Sequence, residues 1–185
     1  MNKSELRERV KKLRRMITAE EIEVKSADIT KTLFSLKTMK DAGTVMAYLP
    51  AFKEVDTRGI IERLLETGKK IVVPISNTAD FTITPSYIDG MNGLKKGAYG
   101  ILEPIEVREA VLADVDVILV PGIVFDERCS RCGFGKGYYD RLLDGCSAVK
   151  IGLCYDFQVV REIETDANDI PMDMVITERR IINAV

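Results

Sequence analysis

"VDVILVPG", from Val115 to Gly122, carries four consecutive apolar residues (Val117 to Val120) and stops at Pro121–Gly122. A run with no polar alternation suits a strand covered on both faces, as in a parallel sheet. Outward from it, strands and helices alternate. Upstream, "GTVMAYLP" predicts a strand over Thr44–Leu49 stopped by Pro50. "VDTRGIIERLLETGKK" then predicts a helix capped by Asp56 or Thr57 and closed at Gly68, leading into the strand "KIVVPI". "DFTITPSY" reads as a further strand, and Ile88–Val107 as a long loop that includes "YGILEP". A short helical piece is expected around Glu109–Ala113. Downstream, "YYDRLLDG" predicts a short helix ending at Gly145, "AVKIGLCY" a strand, and Met174–Thr177 a last strand after a loop through Pro171. The pattern predicts an α/β fold: one three-layer domain over residues 1–185, its central sheet mostly parallel and flanked by helices.

Two helices precede the first strand. Leu6, Val10, Leu13 and Ile17 recur at helical spacing. "TAEE" offers Thr18 as an N-cap with Glu21 three residues on, a capping box, and the helix it opens shows Ile22, Ile29, Leu33 and Leu36. The first helix is basic, with Lys3, Arg7, Arg9, Lys11, Lys12, Arg14 and Arg15. A solvated face is the ordinary reading of such a run. On a helical wheel, however, Lys3, Arg7 and Arg14 fall on one flank of the apolar stripe, where cations can reach a ligand while their stems pack.

Composition narrows the chemistry. Apolar residues make up 46% and charged residues 30% of the 185, and the formal net charge is −2. Such a chain can bury a core without staples, and it offers nucleic acid no global field. The basic start lacks the apolar centre of a signal peptide, and no run approaches a membrane span. A cytoplasmic protein without membrane or nucleic-acid partners is expected, as a monomer. There is no histidine, which excludes Ser-His-Asp and Cys-His catalysis and every histidine-ligated metal site. The four cysteines, Cys129, Cys132, Cys146 and Cys154, include one "CSRC" with no matching second pair, and they read as free thiols rather than zinc ligands.

Between the buried strand and the helix "YYDRLL" lies "RCGFGKG", Arg131 to Gly137. Three glycines within five residues cost backbone entropy, so something must approach this backbone closely or bend it unusually. One reading is a glycine-rich turn. The other is a phosphate cradle: ligands of open α/β sheets bind beyond the carboxyl ends of strands, and backbone N–H groups converge on an anion there. Lys136 adds a charge and Arg131 a fork suited to phosphate oxygens. The spacing is neither a Walker A motif nor G-x-G-x-x-G. Asp140, in the first turn of the next helix, either compensates the helix dipole or, beside a polyphosphate, holds Mg²⁺. Asp169 in "ANDIPMD" reads as a turn carboxylate. Glu54 in "YLPAFKEVDT" lies at a strand end, where it could meet a substrate or simply start a helix.

"VPGIVFDERCSRCGFGKGYYDRLL", with "YLPAFKEVDT", "VVPI", "GILEP" and "KSELR", resembles the 5-formyltetrahydrofolate cyclo-ligases, roughly from Lys3 to Thr177. The resemblance implies an enzyme that uses ATP and Mg²⁺ to close 5-formyltetrahydrofolate to 5,10-methenyltetrahydrofolate, releasing ADP and phosphate through a phosphorylated formyl group. It implies ATP contacts from Lys3, Ser4, Glu5, Leu6 and Arg7, and from Arg131, Cys132, Gly133, Phe134, Gly135, Lys136, Gly137, Tyr138 and Tyr139. It implies folate contacts at Leu49, Glu54, Phe134, Gly135, Lys136, Gly137 and Tyr138, and Mg²⁺ at Asp140 and Asp169. Lys136 and Arg131 would supply the catalytic charge. The family usually has glycine where Cys129 stands, and leucine or methionine where Cys132 stands. The alternative from another class is a non-catalytic α/β module that binds a nucleotide or sugar phosphate.

Overall fold

The computed structural model describes residues 1–184. Helix α1 spans Lys3–Met16 and α2 Ala19–Ser35, followed by the short α3, Lys37–Asp41. Thr18 caps α2 with the expected box, its hydroxyl accepting from the Glu21 N–H while Glu21 accepts from the Thr18 N–H. Asn2 and Glu5 form a second such box at α1, which the sequence reading did not anticipate. Strand β1, Thr44–Met46, leads through a turn to α4, Arg58–Glu66. Thr57 is the N-cap of α4, but its hydroxyl donates to the Tyr48 carbonyl at 2.5 Å. The Arg58 N–H is taken instead by Asp56 Oδ1 at 3.0 Å.

Strands β2, Lys70–Asn77, and β3, Thr82–Ile88, form an antiparallel hairpin. The segment expected to be a loop from 88 to 107 contains a two-stranded ribbon, β4 (Leu94–Lys96) with β5 (Leu102–Pro104). The expected helical piece near residue 110 is a single 3₁₀ turn, Leu112–Asp114. Strand β6, Val117–Val120, is buried throughout. Beyond it, β7 (Val124–Asp126) pairs with β8 (Arg131–Cys132) ahead of α5, Tyr138–Leu143. Strand β9, Val149–Leu153, precedes β10, Val159–Val160, which runs parallel to β7. The chain ends with β11, Met174–Ile176, and β12, Ile181–Asn183.

The main sheet has the order β12-β11-β9-β6-β1-β2-β3. Every pairing from β11 through β2 is parallel, and antiparallel strands β12 and β3 close the two edges. On β6, Val117 and Leu119 join Val45, Ile71 and Ile151 in a core roofed by Ile29 and Leu33 of α2 and Ile60, Ile61 and Leu64 of α4. Ile118 and Val120 face the other way, into a core with Met46, Val72, Phe125, Leu143 and Val175. The continuous apolar run of β6 is therefore explained by cover on both faces. Among the described residues, no helix is long and apolar enough to cross a membrane.

Helix α1 packs separately, its Leu6 and Val10 on Ile123, Val124, Cys132 and Ile163 near the small β7–β8–β10 sheet. Its inward row is Leu6, Val10 and Arg14, with Ile17 beyond; Leu13, expected inside, is 39% exposed. Rows of either kind satisfy helical spacing, and the partner surface selects between them. Cys129 has φ of 63°, in the left-handed region that favours glycine. Its buried thiol is raised to about 11, chiefly by burial.

Phe125 is wedged between two glycines. A Cβ on Gly122 or Gly152 would lie 2.6 Å from the Phe125 ring. Gly152→Ala should therefore destabilise the protein by about 1–3 kcal/mol through overpacking. Urea unfolding measures this, and an unchanged midpoint would mean that the ring yields freely.

Candidate active site

One cleft of about 1000 Å³ opens beyond the carboxyl ends of β1, β2 and β6. It gathers most of the candidate residues: Lys3 and Arg7 from α1, Leu49 and Glu54 from the turn after β1, Arg131 through Asp140, and Asp169. Ser4, Glu5 and Leu6 do not line it. Ser4 is exposed, Glu5 is occupied in the Asn2 capping box, and Leu6 is core. Within this stretch Lys3 and Arg7 line the cleft, the positions that helical geometry turns toward it.

The three glycines each meet an arginine. A Cβ on Gly133 would lie 2.7 Å from Arg131 Nη1, one on Gly135 3.5 Å from the Arg7 guanidinium, and one on Gly137 3.0 Å from Arg141 Nη1. Gly135 and Gly137 also have φ of 93° and 71°, which side chains rarely adopt. Arg7 Nε donates to the Gly133 carbonyl at 2.7 Å, tying α1 to the loop. Arg141 Nη1 donates to the carbonyls of Lys136 (2.7 Å) and Phe81 (3.2 Å), tying α5 to both the loop and the β2–β3 turn. The glycines therefore serve close approach by guanidinium groups as well as backbone curvature.

Arg131 is not a free fork. It is 5% exposed, and its Nη2 donates to Asp140 Oδ1 at 2.7 Å. Its Nε is buried without a partner. Lys136 is exposed, its ammonium 4.9 Å from the centroid of the Phe81 ring at the rim. Lys3 pairs with Asp169 and, at 3.0 Å, with Asp166. Burial disfavours the Lys3 ammonium, but the bonds and charges of Asp169 and Asp166 outweigh it and hold its pKa above the ordinary value. Asp140 and Asp169 each keep one carboxylate oxygen without a hydrogen-bond partner among the described residues.

Glu54, which lines the same cleft, is 9% exposed. Burial pushes its carboxyl above the ordinary value, against the pull of Arg14 and the Ala51 N–H. Arg14, expected to flank a ligand, is buried and does not line the cleft. Its Nη2 meets Glu54 Oε1 at 3.4 Å, its Nε the Phe52 carbonyl at 3.0 Å, and its Nη1 the Gly122 carbonyl at 3.3 Å. The rim is aromatic. Phe52 faces Phe134 with centroids 5.6 Å apart, and Tyr138 meets the edges of Phe81 and Tyr99. The Tyr99 and Tyr138 hydroxyls lie 3.1 Å apart. Phe52, Phe81 and Tyr99 all have positive φ. Sequence reasoning missed these three, since side chains other than glycine give no local sign of left-handed backbone, and Arg141, whose partner Phe81 is distant in sequence.

These features define an α/β protein with a cleft at the carboxyl edge of its parallel strands, cationic along the glycine loop and aromatic at its mouth. The chain matches the model of the 5-formyltetrahydrofolate cyclo-ligase family over residues 1–178 and belongs to that family. It is similar to the solved 5,10-methenyltetrahydrofolate synthetase of Aquifex aeolicus, with 37% identity and a TM-score of 0.88, covering 99% of this chain and 93% of that one. The corresponding synthetase of Mycoplasma pneumoniae is 26% identical with a TM-score of 0.78, covering 96% and 99%. The 5-formyltetrahydrofolate cyclo-ligase of Escherichia coli K12 is 29% identical over 183 residues, 93% of this chain and 98% of that protein.

Removing Arg14 would leave the Glu54 carboxylate buried without its cation. Arg14→Met should cost about 3–5 kcal/mol, the usual penalty for breaking a buried pair. The Glu54 pKa should also rise further. A carboxyl with a raised folded-state pKa gives stability that is present below the unfolded value, near 4.5, and is lost as pH climbs through the folded value. The loss in Arg14→Met should therefore be larger near pH 8 than near pH 5 in urea unfolding, and equal losses would assign Arg14 no electrostatic role.

Proposed function

We propose that this chain, acting as one domain, is an ATP-dependent 5-formyltetrahydrofolate cyclo-ligase that forms 5,10-methenyltetrahydrofolate, ADP and phosphate. The observation that carries this reading is the shared cleft: a cation-bearing glycine loop and a buried carboxylate, Glu54, line the same cavity. Such a site suits a polyphosphate facing a ring system that presents N–H donors. Family membership supports the same activity.

In this reading Lys3, Arg7 and Lys136 bind phosphate oxygens, and Lys136 supplies charge where it develops in the transition state. Arg131 acts through Asp140, which it orients from below. Leu49 and Glu54 hold the folate, with Glu54 accepting from the amino and ring N–H groups of the pterin. The formyl oxygen takes the γ-phosphoryl group as ADP leaves. The neighbouring folate amine attacks the activated carbon through its lone pair, loses its proton, and phosphate departs. The nucleophile is the substrate's own, which suits a chain with no histidine and with buried thiols at Cys129, Cys132 and Cys154. The remaining work is positioning and charge stabilisation. Mg²⁺ would be held by Asp140 and Asp169, which line the cleft and each keep one carboxylate oxygen without a partner among the described residues, and the ion takes one or two carboxylates with phosphate and water. When bound, it supplies neutralising charge to the phosphates.

The direct test mixes purified protein with 5-formyltetrahydrofolate, ATP and Mg²⁺ and follows methenyl absorbance. Turnover that needs both ATP and Mg²⁺ is expected; no absorbance change would leave a nucleotide-binding module. Glu54→Gln keeps the shape but replaces an acceptor with a donor. It should weaken folate binding by about 1–3 kcal/mol while ATP affinity stays near wild type. Calorimetry showing the reverse would move Glu54 to the nucleotide side.

A further inference from the structure

The turn Ala51–Glu54 is held from several directions in a conformation it would not choose alone. Phe52 and Lys53 are consecutive residues with φ of 50° and 58°, a region that side-chain-bearing residues enter at a cost. Arg14 Nε binds the Phe52 carbonyl at 3.0 Å. Lys53 Nζ donates to the carbonyls of Arg15 (2.8 Å) and Ile17 (2.7 Å), at the end of α1. Glu54 Oε2 accepts from the Ala51 N–H at 3.1 Å. Strain that persists only because its surroundings over-determine it concentrates at ligand sites.

The consequence of this turn is an outward phenylalanine. Glu54 is 9% exposed inside the cleft, while Phe52, two residues earlier, is 57% exposed at its mouth. Phe134, from the glycine loop, is 51% exposed and faces it across a tilt of 56°. Two large apolar rings kept in water at one cleft mouth offer a flat partner a ready surface.

We infer that Phe52 and Phe134 form an aromatic platform that takes the aminobenzoyl ring of the folate, which makes Phe52 a further substrate-binding residue. The inference rests on the reading that Glu54 holds the pterin. A folate has a polar bicyclic head followed by a flat aryl amide, so a head bound at the buried carboxylate leaves the aryl ring near the mouth. Phe52 shares its turn with Glu54, which assigns its side of the platform to the folate; Phe134, on the glycine loop, adds the second ring from the segment expected to touch both ligands.

Phe52→Ala should weaken binding of 5-formyltetrahydrofolate on the order of tenfold by calorimetry, with ATP affinity unchanged. Phe52→Tyr should bind like wild type. Phe134→Ala should give a similar loss, and the two alanine changes together should cost less than their sum, because the rings act as one surface. Combined with Glu54→Gln, Phe52→Ala should still weaken folate binding further, since the two residues hold different ends of the ligand. A double variant no weaker than Glu54→Gln alone would make Phe52 only a support for Glu54 and overturn the platform. So would unchanged folate affinity in Phe52→Ala, or a loss confined to ATP. Wild-type protein that binds no 5-formyltetrahydrofolate would instead sink the functional reading; intact wild-type binding that Phe52→Ala leaves intact sinks the platform alone.

Discussion

One buried guanidinium joins three parts of the site. Arg14 reaches from α1 to the Phe52 carbonyl, to Glu54 and to the Gly122 carbonyl just past the central strand β6. An arginine held away from water must satisfy its charge and its N–H groups nearby, because solvent cannot. The partners it finds fix the angle of α1 on the sheet and the path of the turn after β1. The same helix then delivers Lys3 and Arg7 to the glycine loop. The glycine loop and the turn after β1 are therefore both tied to α1.

The opposite side of the loop is fixed in a similar way. Arg7, Arg131 and Arg141 crowd the three glycines, and each guanidinium also makes a hydrogen bond that ties the loop to another element or orients a carboxylate. In the structure as it stands, the candidate metal-holding carboxylates are balanced by cations, Asp140 by Arg131 and Asp169 by Lys3. Arg7, bonded to the Gly133 carbonyl, and Lys136, against the Phe81 ring, are cleft cations outside these ion pairs. Arrangements of this kind keep like charges apart before a polyanion arrives and limit the reorganisation needed afterwards.

The aromatic rim follows a different logic. Phe52, Phe81 and Tyr99 come from three separate turns, yet all have left-handed backbone and all border the same opening or its rim lysine. Such conformations cost free energy, and the contacts of neighbouring elements hold them. The ribbon β4–β5, within a segment whose glycines and charges read as a loop, brings Tyr99 to Tyr138. No periodicity records that arrangement, because the ribbon is short and its partner is distant in sequence.

Much of the protein was legible from residues alone where local free energy dominates. The apolar run Val117–Val120 announced a strand covered on both faces, Thr18 and Glu21 announced the start of α2, and the glycines before "YYDRLL" announced a loop that needs unusual backbone. These signals arise within a few residues, so they survive translation into any tertiary context. Long-range neighbours decided the rest. Leu13 and Arg14 competed for the inner face of α1, and Arg14 entered because Glu54 and two carbonyls were there to receive it. Arg131 turned under the loop because Asp140 lay within reach, and β12 closed the sheet because an edge of β11 stood open. A sequence lists the charges and hydrogen-bonding groups; only the assembled chain determines which of them meet away from water, where the pairing decides the geometry of the site.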